Sequence, residues 1–94
     1  MKAIWRGKVI AESDRTIEVE GYKYFPRESV RMELLKLAPK TADDKRCRHG
    51  VQFYDVIGGE AQSRRAAWSY EAPGAAMQRI DRWIGFWNDV EVKG

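Results

Sequence analysis

CRHGVQFYDVIGGEAQSRRAAWSY, residues 47–70, is the stretch whose reading decides the fold. It reads as one long β-hairpin. Val51, Phe53 and either Tyr54 or Val56 suit a strand, Gly58-Gly59 suits the turn, and Ala66–Tyr70 suits the return. Bulky rings at both Phe53 and Tyr54 put apolar surface on both faces, which marks a strand interior to a sheet. The same stretch holds the chain's only cysteine, Cys47, its only histidine, His49, and the paired arginines Arg64-Arg65.

Upstream, the chain alternates. Ala3–Trp5 and Lys8–Ala11 flank the two-residue turn Arg6-Gly7. Thr16–Glu20 places Ile17 and Val19 on one face and Thr16, Glu18 and Glu20 on the other. Gly21 turns this strand into Tyr22–Phe25, and Pro26 ends that one because it has no N–H for the ladder. Pro26–Ser29 reads as a short helical turn. Residues 30–37 fit both periods: Val30, Leu34 and Leu37 have helical spacing, whereas Val30, Met32 and Leu34 have strand spacing, and a strand is the favoured reading. Residues 38–46 show no period and read as a polar, mobile loop.

Downstream, Pro73-Gly74 breaks the hairpin. Ala75–Ile80 predicts a short helix ending near Arg82, with Ala76, Ile80 and Trp83 on one face. Ile84–Trp87 and Val90–Val92 read as two short strands around an Asn88-Asp89 turn. The expected fold is therefore α+β and mostly antiparallel β. It is either a small half-closed barrel or two packed sheets, with one short helix in the C-terminal half. Residues 1–94 form a single domain in this reading.

The totals narrow the function classes. Four Trp, four Tyr and three Phe supply most of the core volume in a chain this short. Lys and Arg number 17 against 14 Asp and Glu, a net charge of +3, and the excess gathers around Lys40, Lys45, Arg46 and Arg48. That run is shorter than the basic stripe of a nucleic-acid binder, so nucleic acid is not the expected partner. A single Cys and a single His fall short of a structural zinc set, and no metal or cofactor is expected. One cysteine forms no internal disulfide. MKAIWRGK lacks a signal peptide's apolar run, and no stretch has the 18 apolar residues of a membrane helix. A cytoplasmic protein is the expectation.

Several residues are candidates for chemistry. Cys47 and His49, two apart, would share a face on a strand, and an imidazole beside a thiol could raise its nucleophilicity. The plain alternative is a half-buried structural cysteine beside a surface histidine. Trp68 and Tyr70, with Tyr54 opposite, could form a stacking floor for a flat ligand, or they could be core rings. Arg64-Arg65 suits phosphate or a solvated hairpin end. Arg27 suits an anion contact at the short helical turn, or a local ion pair with Glu28. Asp43-Asp44 is the only adjacent acid pair.

KAIWRGKVIAES, YFPRESV, a cysteine preceding the aromatic run FYDV, AAWSYEAP and the closing GFWNDVEV together resemble domain-of-unknown-function family 427, a bacterial group also labelled nucleotidyltransferase-like. The resemblance covers nearly the whole chain. It implies a compact, mostly β domain with one helix near its C-terminus, and a link to nucleotides. Where the family pattern runs Cys-Pro-aromatic-Lys-Gly, this chain has Cys47-Arg48-His49-Gly50, so any ligand contact of that lysine would fall here to Arg48 or His49.

Three functions follow as expectations. The first is a small ligand-binding domain, for a small molecule or nucleotide, with Tyr54, Trp68 and Tyr70 lining the pocket and Arg27, Arg48 and His49 as polar contacts. The second is an enzyme, either nucleotidyltransferase-like or dependent on Cys47. The third is an interaction module that forms a homodimer through exposed strands or rings.

Overall fold

In the computed structural model, which describes residues 1–94, the 51–70 hairpin lies inside a six-stranded antiparallel sheet. The strands are β1 (Lys2–Trp5), β2 (Lys8–Glu12), β3 (Ile17–Val19), β4 (Tyr22–Phe25), β5 (Leu35–Leu37), β6 (Val51–Gly58), β7 (Ala61–Tyr70), β8 (Ile84–Phe86) and β9 (Glu91–Lys93). The larger sheet runs β3-β4-β8-β7-β6-β5, and a smaller one runs β2-β1-β9. The architecture is two packed sheets rather than a half-closed barrel. No helix is long and apolar enough to cross a membrane.

One face of the larger sheet meets the smaller sheet. Ala3, Trp5, Ile10 and Ala11 come from the small sheet, and Phe25, Val56, Ala67, Ile84 and Phe86 come from the large one. Phe25 and Phe86 meet edge to face with centroids 5.6 Å apart. Trp5 lies over Gly58, where a Cβ would stand 2.9 Å from its Cζ3. The other face of the larger sheet carries a second apolar cluster built on Tyr24, Val51, Trp68 and Ile80.

Several expectations need correction. The hairpin turn is Gly59-Glu60, one residue late, and the return strand begins at Ala61 rather than Ala66. A bulge hid those first residues: Tyr54 pairs with Ala67 and Val56 with Ser63, so Asp55 faces a three-residue excursion at Arg64–Ala66. Arg65 takes a φ of 54° there, and its N–H donates to Asp55 Oδ1 at 2.9 Å. Residues 30–37 divide between the two readings. Val30 bridges to Ala11, Met32–Leu34 is a 3-10 turn, and only Leu35–Leu37 is a strand.

Residues 38–46 are not simply a loop, because α1 (Ala42–Arg46) forms there under a capping box. Thr41 Oγ1 accepts the Asp44 N–H at 3.1 Å, and Asp44 Oδ2 accepts the Thr41 N–H at 3.0 Å. The C-terminal helix is a 3-10 helix, Ala75–Ile80. Its tighter period places Met77 and Ile80, three apart, in the cluster on the sheet and leaves Ala76 in water, and Trp83 packs there from beyond the helix end.

Candidate functional site

Strand order sets four positions of the outer face in one row. Tyr24 pairs with Gly85, Gly85 with Trp68, and Trp68 with Phe53. Gly85 contributes no side chain, so the Trp68 ring lies down over it. A Cβ at Gly85 would stand 2.8 Å from Trp68 Cζ2 and 3.1 Å from Tyr24 Cε2. Two residues further along each strand, Tyr22 and Trp87 rise at one end of the row, and Tyr70 and Val51 at the other.

The result is a groove of about 200 Å³ walled by six aromatic rings, with Glu20 at its margin. The rings brace one another. Trp68 meets Tyr22 at 5.1 Å, Trp87 at 5.3 Å and Tyr24 at 5.8 Å, all near edge-to-face. Phe53 and Trp87 stack at 6.0 Å. Trp68 is 4% exposed and forms the floor, whereas Tyr22 and Trp87, at 39% and 37%, form an open rim. Both indole N–H groups facing this region are used internally. Trp68 Nε1 donates to Tyr24 Oη at 3.2 Å, and Trp87 Nε1 donates to the Arg65 carbonyl at 2.6 Å. Burial raises the Tyr24 phenol far above its ordinary range, so it stays protonated.

Of the residues singled out in the sequence, Trp68 and Tyr70 line this groove and Tyr54 does not. Tyr54 sits on the opposite face of the sheet, because it neighbours Phe53 along β6 and pairs with Ala67 rather than Trp68. There it shares a hydrogen bond of 3.2 Å with Ser69 Oγ and accepts one of 2.9 Å from Arg27. Arg27 also donates to the Arg82 carbonyl at 2.9 Å. Glu71 completes the set: it accepts from Ser69 Oγ, takes Arg82 at 3.0 Å and lies 3.6 Å from Arg27. This network ties the turn after β4, strand β6 and the end of β7 to the segment before β8. Glu28, the expected local partner of Arg27, pairs instead with Arg15 at 2.8 Å.

Cys47 to Gly50 is a β-turn closed by Gly50 N–H to the Cys47 carbonyl at 3.2 Å, so the strand logic for Cys47 and His49 does not hold. No hydrogen bond joins them. Cys47 is half-buried against the cluster around Trp68. His49 Nδ1 accepts the Gly74 N–H at 2.9 Å, which anchors the 71–74 loop, and the imidazole meets the Tyr70 ring at 5.6 Å. Arg48 is exposed in the same turn.

The arginine and aspartate pairs are each divided. Arg65 donates to both oxygens of buried Asp44, at 2.8 and 3.1 Å, and its guanidinium stands 4.0 Å over the Phe53 ring. The Arg65 hydrogen bonds, with help from Thr41, hold the Asp44 carboxyl down to about 2. Arg64 stays exposed, and Asp43 pairs with Arg46 on the helix surface. No three His, Cys, Asp or Glu side chains converge as a metal set.

Glu20, Tyr22, Tyr24, Val51, Phe53 and Trp87 line the groove as well and are not among the residues expected at a site. A signal existed: Tyr22/Tyr24, Val51/Phe53 and Trp68/Tyr70 are apolar or aromatic pairs two apart on strands.

Fold and site together define a small two-sheet β domain with an aromatic groove on the outer face of its larger sheet. The chain belongs to the family described as Domain of unknown function (DUF427), whose family model matches residues 1–94. No curated protein matches the chain significantly.

Proposed function

We propose that this protein is a small ligand-binding domain and that the aromatic groove is its site. One observation carries the reading. Six rings converge on a surface groove of about 200 Å³ around a rigid floor, with a single carboxylate at the margin. Apolar walls with few polar groups are the common form of small-molecule sites. In this reading Trp68 and Tyr70 line the ligand site. Tyr54 and Arg27 support the sheet from its other face, and His49 acts by holding the loop beside Tyr70.

The family's nucleotidyltransferase-like label gets little support from the groove itself, since no Lys or Arg lines it to grip a phosphate. An interaction module is the second reading. It is favoured by the exposed rim of Tyr22 and Trp87, and by Leu37, 64% exposed on the edge strand β5.

The test is a thermal-shift and tryptophan-emission screen against small aromatics, nucleotides and organic ions, with light scattering in parallel. A ligand at about 100 times its Kd adds roughly 2.7 kcal/mol. For a domain of this size that raises Tm by on the order of 10 °C. Trp87→Ala should remove the response. A flat screen, together with a mass that grows with concentration, would overturn the ligand reading in favour of self-association.

A further inference from the structure

We propose that the groove's ligand is an organic cation, carrying an alkylated ammonium head that seats against the Trp68, Trp87 and Tyr22 rings beside Glu20. The inference rests on the groove being the ligand site, and it names the chemical class the site takes.

Four observations carry it. First, six of the eight residues lining the groove are aromatic. A π-face is electron-rich and attracts a cation that has left water, and Trp is the strongest of the three aromatic residues in this role. Second, the only charged group lining the groove is the Glu20 carboxylate. It takes part in none of the ion pairs of the fold, so its charge is not neutralised from within. Third, the cluster already holds one cation in this manner. The Arg65 guanidinium stands 4.0 Å over Phe53 and is paired with Asp44 at 2.8 Å, which offsets its charge. Fourth, both indole N–H groups are bonded to protein oxygens. A site that read a flat polar base by hydrogen bonds would aim those donors into the groove.

An alkylated ammonium has apolar methyl surface, diffuse positive charge and few or no N–H groups. It needs walls and a counter-charge rather than donors. A phosphate would instead meet a carboxylate and no lining arginine or lysine.

Tryptophan emission and ¹H–¹⁵N spectra of the intact protein would be followed during titration with tetramethylammonium chloride, choline chloride, the neutral carbon isostere 3,3-dimethyl-1-butanol and adenosine monophosphate. Sodium chloride holds ionic strength constant. Saturable choline binding is expected, with perturbations at Tyr22, Trp68 and Trp87, about tenfold tighter than the neutral isostere. Glu20→Gln should weaken choline several-fold and leave the isostere unchanged. Glu20 is exposed in a turn, so the variant should fold, and its circular dichroism and Tm check that. Equal binding of the isostere and choline would overturn the cation inference and leave the groove an apolar site. Binding of the nucleotide alone would overturn it too. If no compound of any class binds, the ligand-binding reading fails with it.

Discussion

At position 85 the fold requires the absence of a side chain. A Cβ there would come within 2.8 Å of Trp68 Cζ2 and 2.9 Å of its Cε2, closer than carbon atoms pack. Both neighbours are parts of rigid rings, and Trp68 is held from its other sides by Tyr22, Tyr24 and Trp87. Gly85→Ala should therefore force the indole up out of its seat. The expected cost is about 1–3 kcal/mol in urea unfolding, with a shift in tryptophan emission as the ring gains water contact. Unchanged stability and emission would show that the floor of the groove is not set by this glycine. The same packing recurs on the inner face, where Trp5 lies over Gly58. On the outer face the indole and the glycine lie on adjacent strands, whereas on the inner face the indole comes from the smaller sheet.

Among the elements, α1 shows how a five-residue helix can persist. Alone it is far below the length at which helices hold in water. Its stability comes from Asp44, whose carboxylate closes the capping box with Thr41 and also takes both N–H groups of Arg65 from the β7 bulge. One acid therefore joins a helix start to the central hairpin. Its pH dependence follows. Asp44 is held at about 2, below the ordinary 3.8 that it would have unfolded. Its contribution is present in full above the unfolded value and is lost as pH falls through about 2. The urea midpoint should drop between pH 4 and pH 2, and Asp44→Asn should remove that component of the slope. At pH 7 the substitution should cost about 2 kcal/mol, as expected for losing a charge-assisted pair. Equal stability of the two proteins at pH 7 would contradict this joint.

Across the whole molecule, the larger sheet has one face committed to folding and another that is partly open. Phe25 and Tyr24 are adjacent on β4 yet belong to the two different clusters. Phe25→Ala, at a fully buried site between the sheets, should cost about 3–5 kcal/mol. Trp87→Ala, on the rim, should cost clearly less, about 1 kcal/mol, while removing ligand binding. Chemical unfolding and the titrations above, run on both variants, would separate the two faces. A Trp87 variant as unstable as the Phe25 variant would make the outer cluster part of the core.

Much of the local structure was legible in the residues themselves. Alternation exposed Ile17–Val19 and Tyr22–Phe25, and short turns with glycine marked the hairpins. Thr41-x-x-Asp44 was a readable cap that a polar, aperiodic surround concealed, and the bulge at Arg64–Ala66 broke the period that would have begun β7 at Ala61. The groove was not legible. Alternation says that residues two apart share a face, but not which face meets the second sheet, so Tyr54 and Trp68 could not be told apart. Nor does it say that β8, some sixty residues after β4, inserts between β4 and β7 and brings Tyr24, Gly85, Trp68 and Phe53 into one row. The sequence by itself determined strands, turns and aromatic payload, because these depend on neighbours along the chain. Tertiary structure alone decided the aromatic site, because strand order and choice of face are settled by how distant segments share one core.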